Sequence, residues 1–180
     1  QDKFGIETLT EAPKIPYRET VRGRANNVRG RLKKQSGGRG QFGEVWIHLE
    51  PISDSEEMFE FVDNIVGGSV PRNYIPAVEK GIRDTMTKGV LAGYPLYGLR
   101  VTLYDVKHHP VDSSDMAFQL AGSQAIRDAV ETAKPILLEP VYNISITVPD
   151  QYMGDVMGDL NSKRGRIVGM EQVGKRQVIQ

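Results

Sequence analysis

The chain has 180 residues, a formal net charge of zero, 39% hydrophobic and 26% charged residues, which is typical of a globular protein with one good core or two small domains. It contains no cysteine, so disulfides, thiolate zinc sites and cysteine nucleophiles are excluded, in agreement with a reducing, cytoplasmic location. No apolar run approaches the roughly 18 residues that a membrane span needs, so no membrane partner is expected.

The first predicted elements are short strands. Alternation over Phe4–Thr10 predicts a strand, and the two prolines that follow it mark a linker or a domain edge. A second strand-like run covers Tyr17–Arg22. The run Val28–Gln35 then alternates small or apolar residues with basic ones, which places three cations on one face of the strand: Arg29, Arg31 and Lys33.

A glycine-rich turn follows at residues 35–41, and alternation from Val45 to Leu49 predicts a returning strand. Residues 22–43 carry seven basic residues and no acidic one, whereas residues 44–63 carry seven acidic residues and no Lys or Arg. A turn that only faces solvent has no need of seven uncompensated cations. The hairpin is therefore interpreted as a surface that binds a polyanion.

The middle of the chain predicts two helices and a strand. A helix is predicted over residues 77–88 and a strand over residues 96–106. The longest helix follows a loop with two adjacent histidines; Asp112 is expected to cap it, and it ends near Ala133. Its alanines recur every four residues, which predicts close packing on a sheet or on the other helix.

The last part of the chain predicts a smaller unit. A strand near residues 141–148 precedes a helix near residues 150–163, and two further strands follow near residues 166–172 and 176–180. This order is half of a split βαβ module, which buries little apolar surface by itself.

The segment from Gly38 to Gly43 matches the pattern G-x-G-x-x-G. A kinase would also need V-A-x-K, H-R-D and D-F-G segments, and a dinucleotide site would need a helix directly after the glycines, where a strand is predicted. Three alternatives stay open: a nucleotide-binding enzyme, a flexible turn, and a loop that contacts nucleic acid. The flanking cations favour nucleic acid, and the nearby aromatic residues either stack on bases or pack in the fold: Tyr17, Phe42 and Trp46.

The adjacent residues His108 and His109 form no i, i+4 pair, and His48 is the only other histidine, so a metal site is not expected. No paired carboxylate or Ser-His-Asp order supports catalysis, so no catalytic residue is expected. The histidines are interpreted as hydrogen-bond donors to RNA.

Several ordered motifs together resemble translation elongation factor G. Six resemble the fourth domain of that family, a further one resembles the start of its fifth domain, and the first dozen residues resemble the last strand of its third. The motifs are Tyr17-Arg18-Glu19-Thr20, Lys34 to Gly43, Tyr74-Ile75-Pro76-Ala77-Val78, Leu91-Ala92-Gly93-Tyr94-Pro95, Val111-Asp112-Ser113-Ser114, Leu138-Glu139-Pro140, and Gly154 to Leu160 with Arg164-Gly165.

The resemblance implies an α+β fold. Residues 15–139 are expected to form a domain like the second domain of ribosomal protein S5, a four-stranded sheet with helices on one face and a left-handed βαβ crossover. Residues 140–180 are expected to form an incomplete ferredoxin-like split βαβ domain, and residues 1–14 the last strand and linker of the preceding domain.

The resemblance also implies a tip that enters the ribosomal decoding centre of the small subunit and promotes GTP-dependent tRNA–mRNA translocation. The implied partners of this monomer are the ribosome with its rRNA, mRNA and peptidyl-tRNA. GTP and Mg²⁺ belong to a domain outside this chain, so no cofactor and no GTP hydrolysis are expected here. The residues expected to bind RNA are Arg29, Arg31, Lys33, Lys34, Ser36, Gly37, Gly38, Arg39, Gly40, Gln41, His108, His109, Val111 and Asp112.

Pro110 departs from the family pattern, which has an acidic residue after the tip histidine, and Lys107 and His108 are more basic than is typical. The parent protein is therefore expected to be either the main translocase or a paralogue that acts in ribosome recycling.

Overall fold

The structure is a computed structural model that describes residues 11–35, 37–38, 40–52, 59–67 and 71–180. Its internal contacts divide the chain into two compact units, one ending at Glu139 and one comprising Pro140–Gln180. The strand predicted over Phe4–Thr10 lies outside the described residues, so the assignment of residues 1–14 to a preceding domain stays a prediction.

The first unit is built around a mixed sheet with two helices. Its elements are β1 Arg18–Val21, β2 Ala25–Lys34, β3 Gln41–Pro51, β4 Phe59–Asp63, a 3-10 turn Arg72–Tyr74, α1 Ile75–Lys88, β5 Leu99–Lys107, α2 Asp115–Thr132 and β6 Pro135–Leu138. The four-stranded sheet has the order β2-β3-β5-β4, and β1 pairs with β6. This confirms the predicted α+β class and the four-stranded sheet.

The strand β4 pairs parallel to β5, whereas β2, β3 and β5 pair antiparallel. The helix α1 lies between β4 and β5 in the chain, so β4, α1 and β5 form the βαβ connection that the resemblance implies. Its left-handedness stays an expectation.

The core lies between α2 and the sheet. Alternate residues of β3 and β5 are fully buried, from Val45 to Leu49 and from Leu99 to Leu103, and the buried alanine row of α2 packs on β2 and β3. Glycine in β2 lets the helix approach closely, because a Cβ on Gly30 would lie 2.7 Å from the Cβ of Ala125. The small-residue face predicted from the sequence is therefore the main helix–sheet contact.

The helix α1 packs against α2 with the stripe predicted for it, Val78, Ile82 and Met86, all buried. It begins earlier than predicted because a 3-10 turn leads into Ile75 and because proline is well accommodated in a first helical turn. Gly89 ends the helix with a φ of 72°, in the left-handed region that favours glycine.

A buried carboxylate joins β1 to the loop between α1 and β5. Glu19 is fully buried; its Oε2 accepts from the N–H groups of Val90 (2.7 Å) and Leu91 (2.9 Å), and its Oε1 accepts from those of Ala92 (2.7 Å) and Tyr94 (3.0 Å). We call this arrangement the Glu19 latch. Burial raises the pKa of the carboxyl group, but these four hydrogen bonds outweigh it and hold the pKa below its ordinary value.

The Glu19 latch also explains a wrong strand boundary. The predicted strand 96–106 begins only at Leu99. Leu96 instead forms an isolated parallel bridge with Glu19, and its N–H donates to the carbonyl oxygen of Met86 at 2.8 Å. Two motifs of the resemblance, around Glu19 and around Gly93, are thus halves of one structural feature.

The second unit has the predicted order strand, helix, strand, strand. Its elements are β7 Ile146–Pro149, a 3-10 turn Asp150–Tyr152, α3 Met153–Ser162, β8 Met170–Val173 and β9 Arg176–Ile179, and the sheet order is β7-β9-β8. Ile179 is the one buried residue of Pro140–Gln180, a segment described throughout. The expectation that this unit buries little apolar surface by itself is confirmed.

Candidate nucleic-acid interface

Two loops that lie far apart in the sequence meet at one end of the four-stranded sheet. We call residues 35–40, between β2 and β3, the glycine loop, and residues 108–114, between β5 and α2, the histidine loop. They come together because β3 pairs with β5, and this pairing places Glu44 opposite Lys107. The N–H of Phe42, at the start of β3, donates to the carbonyl oxygen of Asp112 at 2.8 Å.

A depression of about 250 Å³ lies where the two loops meet. Two strands and both loops contribute to its lining, which combines two ammonium groups, two amides, an imidazole, a phenyl ring and a carboxylate. The structure therefore brings together several residues that the sequence predicted as RNA-binding. The lining residues are Lys33, Lys34, Gln35, Gln41, Phe42, His109 and Asp112.

His109 is held by the backbone of its own loop. Its Nδ1 accepts from the N–H groups of Val111 (3.3 Å) and Asp112 (3.2 Å), and its own N–H donates to Ser113 Oγ at 2.8 Å. Because Nδ1 is an acceptor, the neutral ring carries its proton on Nε2. The side chain is 51% exposed, so the imidazole is an oriented donor at the surface.

Asp112 joins the two loops and does not cap α2, so the predicted cap was wrong. The cap is Ser114, whose extended backbone (φ −152°, ψ 162°) lets its Oγ accept from the N–H of Ala117 at 3.2 Å. The carboxylate of Asp112 lies 3.6 Å from His109 Nδ1. A Cβ on Gly40 would lie 2.8 Å from Asp112 Oδ2, so glycine leaves room for that carboxylate.

Ser113 is a residue that the sequence reasoning missed. It is buried, and its Oγ donates to the carbonyl oxygen of Phe42 at 2.8 Å while accepting from the N–H of His109. One hydroxyl group therefore ties β3 to the histidine loop. The signal was present, because Ser113 belongs to the motif Val111–Ser114, but only the fold shows its partner.

Two glycines of the G-x-G-x-x-G pattern, Gly40 and Gly43, have packing roles. Gly37, next to the pattern, has a φ of 52°, and a Cβ on Gly43 would lie 3.0 Å from the backbone of Ala117 in α2. The predicted returning strand is present, but β3 begins at Gln41, within the pattern and earlier than the predicted start at Val45. A dinucleotide site would need a helix there, so the described residues favour a structural role for these glycines. Ser36 and Arg39 lie outside the described residues.

The cations of β2 are exposed on one face as predicted, but two of them face an acid. Arg29 Nη1 lies 3.4 Å and Arg31 Nε 4.0 Å from the same oxygen of Glu44. Glu44 is buried and sits opposite Arg31 in the strand register. The expectation of uncompensated cations was therefore wrong at these positions, because the acidic segment folds back on the basic one.

The remaining predicted site residues lie around the depression. His108 and Val111 are exposed in the histidine loop, and Gly37 and Gly38 are exposed in the glycine loop. Arg29 lies further along β2. Neither His108 nor Val111 is among the described residues that line the depression. Whether any of these residues binds RNA stays a prediction.

Two negative findings apply to the described part of the chain. It contains no group of three or more His, Asp and Glu side chains placed to hold a metal ion. Within the same residues, no helix combines the length and the apolar character needed to cross a membrane.

Comparisons with known proteins agree with the fold. The family model "Elongation factor G, domain IV" matches residues 13–134, and the model "Elongation factor G C-terminus" matches residues 136–180. A crystal structure of a protein from Thermus thermophilus is 46% identical, with a TM-score of 0.82, over 94% of this chain and 25% of that chain. The chain thus spans a quarter of that solved relative. It belongs to the elongation factor G family, of which it contains domain IV and the C-terminal region.

Proposed function

We propose that this chain is the part of an elongation factor G that enters the decoding centre of the small ribosomal subunit and promotes the movement of tRNA and mRNA. Membership in the family supports a role in translation elongation. The observation that carries the proposal is the meeting of the glycine and histidine loops at one depression lined by basic and amide side chains.

The lining suits an RNA backbone with exposed base edges. Lys33 and Lys34 supply positive charge, and Gln41 supplies an amide that both donates and accepts. Each phosphate neutralised by a cation adds about 0.9 to the salt slope of binding. The depression therefore binds by charge and by directed hydrogen bonds, and it needs no covalent step.

The hydrogen bonds beneath the depression hold the donors in place before RNA arrives. Ser113 and the backbone of Phe42 join the loops, and two N–H groups orient the ring of His109. A donor that is already oriented loses less conformational entropy on binding. In this proposal the domain acts as a wedge that keeps codon and anticodon paired while the tRNA moves.

The proposed partners are the ribosome with its rRNA, mRNA and peptidyl-tRNA, in the cytoplasm, with the chain acting as part of a monomer. GTP and Mg²⁺ are assigned to a GTP-binding domain of the longer protein. No catalytic residue is assigned to this chain.

The experiment is a pair of histidine variants in the full-length parent protein. His109→Ala removes the oriented donor and is expected to slow translocation at least about tenfold, which corresponds to about 1.4 kcal/mol, with little change in GTP hydrolysis. His108→Ala is the comparison variant and is expected to have the smaller effect, because that exposed neighbour does not line the depression among the described residues. Equal loss of translocation and hydrolysis, or equal effects of both variants, would contradict the proposal.

A second candidate is a paralogue that acts in ribosome recycling. The observation that favours it is Pro110 directly after His109, where the family pattern has an acidic residue. Subunit splitting by the full-length parent distinguishes the two. A parent that splits ribosomes but does not translocate tRNA assigns the chain to recycling.

A nucleotide-binding enzyme is the candidate of another class. Its only support is the G-x-G-x-x-G pattern, in which Gly40 and Gly43 have packing roles. Calorimetry of this chain with GTP and with ATP tests it, and saturable micromolar binding would favour it over the ribosomal role.

A further inference from the structure

The four-stranded sheet has a second face, opposite the one that α2 covers. Apart from the buried Glu44, the residues that point to this face are half-buried or exposed. Three of its residues are rings and three are cations near the same end. We call this set the aromatic face: Trp46, His48, Tyr104, Arg29, Arg31 and Lys107.

The rings on the aromatic face occur in two groups. The ammonium group of Lys107 lies over the ring of Trp46, 4.9 Å from its centroid. The rings of His48 and Tyr104 are stacked, with centroids 4.3 Å apart and an angle of 14° between their planes. A base stacks on such groups whatever its sequence, because every base has a π face.

Two strand irregularities build the His48–Tyr104 stack. The register between β3 and β5 shifts after Trp46, which inserts Tyr104 as an extra residue. In β2 a second shift places Asn27 at a φ of 56°, and Asn27 then donates its N–H to His48 Nδ1 at 3.2 Å and accepts from Tyr104 Oη at 3.0 Å. The rings are therefore fixed in place without a ligand.

The charges on this face are unevenly compensated. Around Trp46, the cations Arg29, Arg31 and Lys107 outnumber the carboxylates Glu44 and Asp105. At the far end of the sheet, Arg100 is held by both Glu50 (3.0 Å) and Glu60 (2.7 Å). The excess positive charge thus lies at the end nearest the two loops.

If the rings had only a structural role, no excess of positive charge would be expected beside them. Aromatic side chains stabilise cross-strand pairs on any sheet, and Trp46 and Tyr104 do so here. The combination of fixed rings with a cation excess at the same end is instead what a single-stranded RNA site needs, with rings for bases and cations for phosphates.

We infer that the aromatic face binds an unpaired RNA segment: a base takes the place of the Lys107 ammonium group over the ring of Trp46, and Arg29, Arg31 and Lys107 contact the phosphates beside it. This inference rests on the proposed function for its partner class, but it concerns other residues than those that line the depression; Lys33, which lies on the same face of β2, is at the border of the two surfaces. The His48–Tyr104 stack extends the contact with the RNA segment along the sheet.

Trp46 makes a direct measurement available, because it is the single tryptophan of the chain. Its fluorescence is followed while the 180-residue chain is titrated with an RNA hairpin that has an unpaired loop. A blunt RNA duplex and heparin are titrated in parallel at the same salt concentration. Saturable quenching by the hairpin, much weaker with duplex and heparin, is the expected result. Equal quenching by heparin would mean that the face binds any polyanion, and this result would overturn the inference.

Variants separate this face from the depression. Lys107→Gln and Tyr104→Ala are expected to weaken hairpin binding about three- to tenfold, whereas Lys88→Gln at the end of α1 is a matched control expected to leave it unchanged. Circular dichroism checks that each variant is folded. If His109→Ala abolishes the quenching while Lys107→Gln does not, RNA contacts only the depression and the inference is wrong.

The two proposals fail in different experiments. Normal translocation by a His109→Ala parent contradicts the proposed function and leaves the hairpin titration as it was. Quenching by RNA-free ribosomal proteins, without quenching by the hairpin, assigns the aromatic face to a protein partner and overturns the inference alone.

Discussion

The Glu19 latch and the depression between the two loops are both places where distant parts of the chain meet, and both contain residues of family motifs. At the latch a fully buried carboxylate is surrounded by four backbone N–H groups. At the depression the hydrogen bonds lie beneath half-exposed side chains such as His109. Residues of family motifs thus have a stabilising role at the latch and a candidate binding role at the depression.

The two places differ in whether their polar groups remain free to bind a ligand. The latch is closed, because its acceptor oxygens and its donors satisfy each other away from water. In the depression, Lys33 and Lys34 are exposed cations whose charge faces solvent. Variants at the latch should therefore change stability, and variants at the depression should change binding.

The largest expected effect is that of Glu19→Ala. It leaves four N–H groups without their acceptor and removes a fully buried side chain, and we expect it to lower the free energy of unfolding by at least about 3 kcal/mol. Urea unfolding measures this. Glu131→Ala, at an exposed position of α2, is the control and should change stability by less than about 0.5 kcal/mol. A loss below about 1 kcal/mol for Glu19→Ala would show that the latch is not stabilising.

The second prediction concerns the stability of the chain at acidic pH. Because the pKa of Glu19 in the folded chain lies below its ordinary value of 4.5, the folded state favours the ionised carboxylate. Its contribution is complete above this ordinary value and is lost as the pH falls below it through the folded-state pKa. Unfolding curves measured from neutral to acidic pH should show a shallower decline in Glu19→Gln than in the original chain. Identical declines would contradict this.

The third prediction tests the close contact of β2 with α2. Gly30→Ala places a methyl group 2.7 Å from the Cβ of Ala125 and is expected to lower the free energy of unfolding by about 1–3 kcal/mol through overpacking. Gly158→Ala in α3 meets nothing within 4 Å, so it should have the opposite sign, because alanine favours a helix over glycine. Chemical denaturation of both variants provides the measurement. If Gly30→Ala left the free energy of unfolding unchanged, this would mean that α2 moves away from β2 at little cost.

The smallest expected effects distinguish Ser114, which caps α2, from Asp112, which joins the two loops. Ser114→Ala removes the capping hydroxyl and should lower the free energy of unfolding by about 1 kcal/mol. Asp112→Ala should cost less than about 0.5 kcal/mol, because its carboxylate lies 3.6 Å from Nδ1 of a half-exposed His109. Thermal unfolding compares them, and the reverse order would restore Asp112 as the cap.

Much of the fold follows from periodicity in the sequence. Alternation in β3 and the four-residue alanine repeat of α2 each predicted a buried face, and the buried residues match both. The boundaries were less accurate: β2 begins at Ala25, and β5 begins at Leu99. Bulges and isolated bridges caused these errors, since they depend on the partner strand.

The candidate site was predictable in part. The glycine and histidine loops were both singled out by residue type, and the resemblance implied that they lie together, as the structure shows. The pairing of Glu44 with Arg29 and Arg31 was not predictable, because it depends on the register between two strands. The roles of the site residues in RNA binding stay predictions.

The sequence by itself determined the local elements, the faces they bury and the family, because side-chain periodicity, turn residues and ordered motifs are properties of neighbouring positions. Only the tertiary structure decided which charges are neutralised and which groups form hydrogen bonds between the parts that meet. Glu19 finds its donors 71 to 75 positions away, and Ser113 bonds Phe42 at a separation of 71 residues. Contacts of that range depend on strand register and helix packing, which no local pattern specifies.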